Sequence, residues 1–184
     1  MSSQLRFDEI NALSTYIRSL KLEYGTLKKV SKSDFDDIIL DFLIMQYVYG
    51  VRTVNDMLGT EIEPSQEQMR EVIYQKYDGK DFANLINEYL DTEDVEGIVR
   101  VIETSAHHAY NGGAYDTAVS AGATKKTWVC QFRNSRDTHI YLHGMTVPID
   151  AEFYTFMGNH AQWPGQFGVA EEDVNCQCEL TFGK

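Results

Sequence analysis

The chain contains no run of eighteen apolar residues, so no part of it reads as a membrane-spanning helix. Its opening residues, Met1 to Glu9, lack an apolar stretch, so no secretory leader is expected and folding in a cytoplasm is. Cysteine is scarce: Cys130, Cys176 and Cys178 are few and odd in number, which argues against a disulfide framework. No P-loop, dinucleotide fingerprint or metal-carboxylate motif occurs, so the enzyme classes that depend on them are not indicated. Positive charge is also in short supply. Sixteen Lys and Arg face 28 Asp and Glu, a net charge of −12, and such a surface repels phosphate. Direct DNA binding is therefore not expected of the chain as a whole. What is present is ordinary globular material: 184 residues, 43% hydrophobic, enough for one domain or a small domain with an appended helical part.

Helical spacing dominates the first two thirds. Ile10, Leu13, Ile17, Leu20 and Tyr24 recur every three or four residues, which is a helix stripe. Ser33 with Asp34, Asp36 and Asp37 reads as the next helix start. The run Phe35 to Val48 is apolar on more than one side and must be covered over most of its surface. A second copy, another protein, or the helix carrying Ile10 to Tyr24 are the expected covers, and Gly50 the expected end. Pro64 and Ser65 open a further helix with Met69, Val72, Ile73 and Tyr77 inward, and Gly79 breaks it. Phe82, Leu85, Ile86, Tyr89 and Leu90 resume the period, residues 91–94 form a turn and cap, and Val95 to Ile102 lead on towards His107. Asn111, Gly112 and Gly113 mark the next expected break.

Beyond Gly122 the composition turns towards β-formers. Residues 127–132, 146–149 and 178–182 read as strands, and 151–173 as mostly loop. The expected fold is α+β, a mainly helical body with a small C-terminal antiparallel β-containing end. Residues 1–64 form a variable helical part and 65–184 a domain.

The chemistry-bearing residues cluster in the last third. Cys176 and Cys178 are two apart and share one face of an extended strand, while His139 and His143 are four apart and share one face of a helix. Two thiolates and two imidazoles can hold a tetrahedral zinc ion, pinning the terminal strand to the earlier turn. The alternative is hydrogen-bonded packing histidines and small buried cysteines. A third arrangement makes Cys176 or Cys178 a nucleophile with His139 as its base, but no orienting third group or oxyanion feature accompanies them. Ser105 beside His107 and His108 gives no triad either. Phe153, Tyr154, Phe156, Trp163 and Phe167 lie in a segment without Lys or Arg, so they read as core or protein-interface anchors and not as base-stacking platforms.

The order of short motifs resembles the phage Mu protein F-like minor head proteins. It runs from Tyr77, Gly79 and Phe82 through Glu103-Thr104 and Asn111-Gly112-Gly113 to Trp128. Arg136 and His139, Leu142-His143-Gly144, Trp163-Pro164-Gly165 and Asn175-Cys176-Gln177-Cys178 follow. Gln177 stands where the family has arginine, and its acidic residue is missing around Phe132 and Arg133. The resemblance implies a structural protein of the phage head, without catalytic residues, that associates with the portal or other capsid proteins. It would act in head morphogenesis or DNA passage, located in the host cytoplasm and then in the virion head, with self-association a further possibility and no membrane. Glu103, Trp128, Arg136, Gly144, Pro164 and Asn175 would be its structural residues, with Arg136 paired to Glu103 or, as the alternative, the two as unrelated solvated charges. An enzyme or toxin domain using the Cys/His cluster is the alternative. Either way the motifs require the strand ending at Phe182 to pair beside the Trp128 strand, bringing the thiols to the Arg136–Gly144 turn.

Overall fold

In a computed structural model the described residues are 3–77, 79–132 and 135–184; Arg133, at the place of the missing acidic residue, lies outside them. Helix α5 (Val95–Ser120) is the axis on which the rest is built. Around it pack α1 (Ser3–Tyr24), α2 (Lys32–Leu58), α3 (Gln66–Ile73) and α4 (Phe82–Thr92). Four of these helices start at a side-chain cap: Ser31, Ser65, Asp81 and Asp94 accept from the backbone N–H of Asp34, Gln68, Asn84 and Gly97. Each cap satisfies one of the orphan amides of a first turn. The start of α2 is thus Ser31, two residues before the expected Ser33.

Neither Gly50 nor the Asn111–Gly113 run breaks a helix. Both lie in helix interiors, where they allow α2 and α5 to touch backbone to backbone. A Cβ on Gly50 would stand 2.0 Å from the Tyr110 carbonyl oxygen, and one on Gly113 would stand 2.2 Å from that of Tyr47. The greasy α2 is covered by α5, not by the helix carrying Ile10 to Tyr24. Phe35, Ile39, Phe42, Leu43, Tyr47, Val51 and Val54 are all buried, and Tyr47 donates its hydroxyl to Asp116 on α5 at 2.7 Å.

The C-terminal end is a three-stranded antiparallel sheet in the order β2-β1-β5, made of β1 (Lys125–Val129), β2 (Thr146–Pro148) and β5 (Glu179–Gly183). Trp128 lies opposite Leu180, so the last strand does pair beside the Trp128 strand. The loop of 151–173 carries a short pair, β3 (Phe153–Tyr154) and β4 (His160–Ala161). The fold is α+β, mainly helical. Phe153 and Trp163 join the core, whereas Tyr154 and Phe156 are exposed. No helix among the described residues is long and apolar enough to cross a membrane.

His108 ties α5 to both neighbours. Its Nδ1 lies 2.7 Å from the Gly165 carbonyl and its Nε2 3.1 Å from that of Val72. Burial drives this imidazole down to about 4, outweighing the two carbonyls that pull it up. The folded value lies below the unfolded ~6.5, so the unfolded chain takes up the proton first. The His108 contribution is then complete above about pH 6.5 and is lost as pH falls towards about 4, at most on the order of 3 kcal/mol. Urea unfolding of the wild type and His108→Gln at neutral and mildly acid pH should show a shallower pH dependence in the variant. Equal dependences would exclude this role.

Candidate metal centre and groove

Three of the four proposed ligands meet, and the fourth does not. His139 lies in α6 (Asp137–Leu142), and its buried ring turns Nδ1 towards Cys176 Sγ at 3.4 Å and Cys178 Sγ at 3.6 Å. The ligand atoms of His139, Cys176 and Cys178 all lie within 4.8 Å of one another, so the cluster can hold a metal ion. His143 stands apart because α6 ends at Leu142. At the C-cap its backbone leaves helical geometry, the side chain turns out to the surface, and Nδ1 accepts from the Cys130 N–H at 3.1 Å. The four-residue spacing therefore does not place both rings on one helix face. The two cysteines likewise precede β5 and do not sit on it; left-handed Asn175 (φ 59°), after the short α7 (Ala170–Asp173), turns the chain into them.

Cys130, which the sequence motifs do not single out, packs against the cluster. It lies two residues past Trp128, so the twofold period of the strand already carried its inward direction. Its buried Sγ is 3.0 Å from Cys178 Sγ and 2.9 Å from the His139 carbonyl. Contact with Cys178, then burial, pushes the Cys130 thiol well above the usual range. For Cys178 the contact with Cys130 pulls the other way, but Cys176 and burial raise the net value. Burial, then the charge of Arg136, lowers His139. Its second nitrogen, Nε2, faces the buried carboxylate of Glu172 at 3.2 Å, and that carboxylate is held by Thr138 and Asn159.

The structural residues also find other partners than expected. Arg136 donates to the carbonyl of Val174, and Glu103 accepts from Ser14 on α1 at 3.3 Å, so the Arg136–Glu103 pair does not form. Glu103 faces the α1 side of α5, where the local acceptor need is met by a hydroxyl. Trp128 is fully buried, edge-on to both His139 and Phe153. Gly144 (φ 76°) closes the turn by donating to the Trp128 carbonyl at 2.8 Å, and Pro164 is buried.

Behind the cluster a buried polar network, which sequence spacing does not reveal, joins α1, α5 and β5. Arg6 donates to Glu179 at 2.6 Å and lies 3.2 Å from His107 Nδ1, with its guanidinium 4.0 Å from the centre of the Tyr110 ring. Arginine can only donate, so Nδ1 of His107 accepts and its Nε2–H donates to the Cys178 carbonyl at 2.6 Å. Asn111 donates to the same carbonyl at 3.1 Å. Burial, then the charge of Arg6, lowers His107 to about 4.

A groove of about 420 Å³ runs between α4, α5 and the Gly168–Val174 segment. Tyr77, Tyr89, Arg100, Thr104 and Asp173 line it. Asp173 accepts from the N–H groups of Phe167 at 3.0 Å and Gly168 at 2.7 Å, and burial raises its carboxyl to about 6.

Over 144 residues, 74% of its length, the chain is 31% identical to the NAD(+)–arginine ADP-ribosyltransferase EFV of Enterococcus faecalis. The match spans 29% of that protein, so the chain corresponds to less than a third of its relative. No family model matches the chain, and no solved structure does. These findings overturn the phage head reading and with it the expectation of a protein without enzymatic activity. The physical reason lies in the motifs. Trp128, Gly144, Pro164 and Asn175 are a core side chain, a left-handed turn, a buried proline and a left-handed corner. They report how a small sheet closes onto a helix, and a closure of that kind is compatible with unrelated activities.

Proposed function

We propose that this chain supports transfer of ADP-ribose from NAD(+) to arginine, and that its Cys/His cluster holds a structural zinc ion. The likeness over 144 residues to the Enterococcus faecalis transferase carries the first part. In that reaction the bond between the nicotinamide nitrogen and ribose C1′ breaks, and C1′ joins a guanidinium nitrogen of arginine. Nicotinamide leaves with the bonding electron pair, and the guanidinium gives up a proton. Positive charge develops at the ribose, as in glycoside cleavage, and a nearby carboxylate stabilises it. The groove offers Asp173 as that carboxylate, Arg100 at its mouth for a phosphate, and Tyr77 and Tyr89 as apolar walls for a flat ring. Its volume suits a nucleoside-sized piece of the dinucleotide.

Incubating the purified chain with labelled NAD(+) and an arginine-rich acceptor protein tests this. Label transfer is expected, with a loss of at least about tenfold in Arg100→Ala and Asp173→Asn, corresponding to about 1.4 kcal/mol or more. A folded wild-type chain that neither binds nor consumes NAD(+) would remove the reading.

Zinc accounts for the cluster better than a cysteine nucleophile does. The thiols are buried, whereas nucleophilic cysteines need access for the substrate. Soft sulfur with one imidazole is a zinc donor set, and the burial of every donor leaves no open position for a substrate.

A further inference from the structure

We infer that the centre is a Cys₃His site in which Cys130 is the fourth ligand, with Glu172 orienting His139 and His143 outside the ligand set. This rests on the zinc reading above and completes it. A tetrahedral zinc ion with Zn–S near 2.3 Å and Zn–N near 2.0–2.1 Å sets its donors about 3.5–3.8 Å apart. The observed separations from His139 Nδ1, 3.4 Å to Cys176 and 3.6 Å to Cys178, match those edges. Cys130 Sγ is buried against the cluster, 3.0 Å from Cys178 Sγ, and takes the remaining corner by moving away from Cys178 and towards the other donors. His143 cannot take it, because it is exposed and its Nδ1 is occupied by the Cys130 N–H.

The surroundings are those of a ligand set. Zinc-bound imidazoles characteristically donate their second N–H to a carboxylate, which fixes the tautomer and aims the free lone pair at the metal. His139 Nε2 faces Glu172 at 3.2 Å without a hydrogen bond of regular geometry, so a small turn of the ring would complete this pairing, and the oxygens of Glu172 are themselves held by Thr138 and Asn159. The Cys178 backbone is anchored independently by His107 and Asn111. His143 accepts the amide of Cys130 through Nδ1 and contributes no donor to the set.

X-ray absorption at the zinc edge on the purified wild-type chain, after metal analysis, decides the point without a variant. One zinc per chain with three sulfurs near 2.3 Å and one nitrogen near 2.0–2.1 Å is the expected result. Two sulfurs and two nitrogens would overturn the assignment of Cys130 while leaving the zinc reading in place. A metal-free folded protein, with three titratable thiols or with a disulfide, would overturn both. Cobalt titration adds a graded check: Glu172→Gln should weaken binding about 10–100-fold and Cys130→Ser more than that, while His143→Ala stays folded and keeps three-sulfur absorption. Loss of a sulfur band in His143→Ala, or its retention in Cys130→Ser, would refute the assignment.

Discussion

Gly113→Ala is expected to cost the protein most of its stability, although alanine is the better helix former by roughly 0.5–1 kcal/mol. The added methyl would sit 2.2 Å from the Tyr47 carbonyl oxygen, an atom of helix backbone that cannot swing aside. Gly50→Ala meets the same obstacle from the other helix, 2.0 Å from the Tyr110 carbonyl oxygen and 2.7 Å from the Ala114 nitrogen. Relief requires α2 and α5 to separate along the largest helix interface of the body. Overpacking against side chains typically costs about 1–3 kcal/mol, and a backbone obstacle should exceed it, against a total of about 5–15 kcal/mol for a domain. Gly112 is the internal control. Its new methyl would meet the Val72 side chain first, at 2.5 Å, a neighbour that is side chain and not helix backbone. Urea unfolding should therefore rank Gly112→Ala well above Gly113→Ala and Gly50→Ala in stability. Equal, small losses at all three sites would mean that the helices do not touch backbone to backbone.

Arg6→Met is expected to destabilise by about 3–5 kcal/mol, the usual consequence of removing one partner of a buried ion pair. Glu179 loses a 2.6 Å donor, and His107 loses the group that fixes its tautomer. Without Arg6, the tautomer that directs Nε2–H of His107 at the Cys178 carbonyl loses its Nδ1 donor, so the loss should extend to the metal centre. Replacing both Arg6 and Glu179 with Met removes the stranded charge and should recover part of the stability. Chemical denaturation of the two single variants and the double variant measures this coupling. Additive losses would show that Arg6 and Glu179 act independently.

How much of this was readable in the sequence differs from residue to residue. The helix starts at Ser65 and Asp94 were legible because capping is local: the acceptor lies three residues from the amide it serves. The strands around Trp128 and Leu180 were legible because alternation exposes one face and buries the other, and their pairing was expected from the motif order, which makes sense only if the two strands meet. Gly50 and Gly112–Gly113 misled for a reason equally physical. A glycine in an amphipathic run looks the same whether it ends a helix or admits a neighbouring backbone, and the neighbour of Gly113 lies more than sixty residues earlier, at Tyr47.

The sequence by itself determined the class of the fold, the helical body with its terminal sheet, and the meeting of His139 with Cys176 and Cys178. Periodicity and caps suffice for the fold class, and the meeting follows once the terminal strand pairs beside the Trp128 strand. Tertiary structure alone decided that His143 turns away, that Cys130 packs against Cys178 and Glu172 faces His139, that Arg136 and Glu103 stay apart, and that Arg6 reaches across to Glu179. These pairings depend on where a helix stops and on the angle at which α1 and β5 approach α5, and no local spacing encodes them. The end of α6 at Leu142 takes His143 out of the cluster, because at a helix terminus a single backbone torsion redirects the side chain.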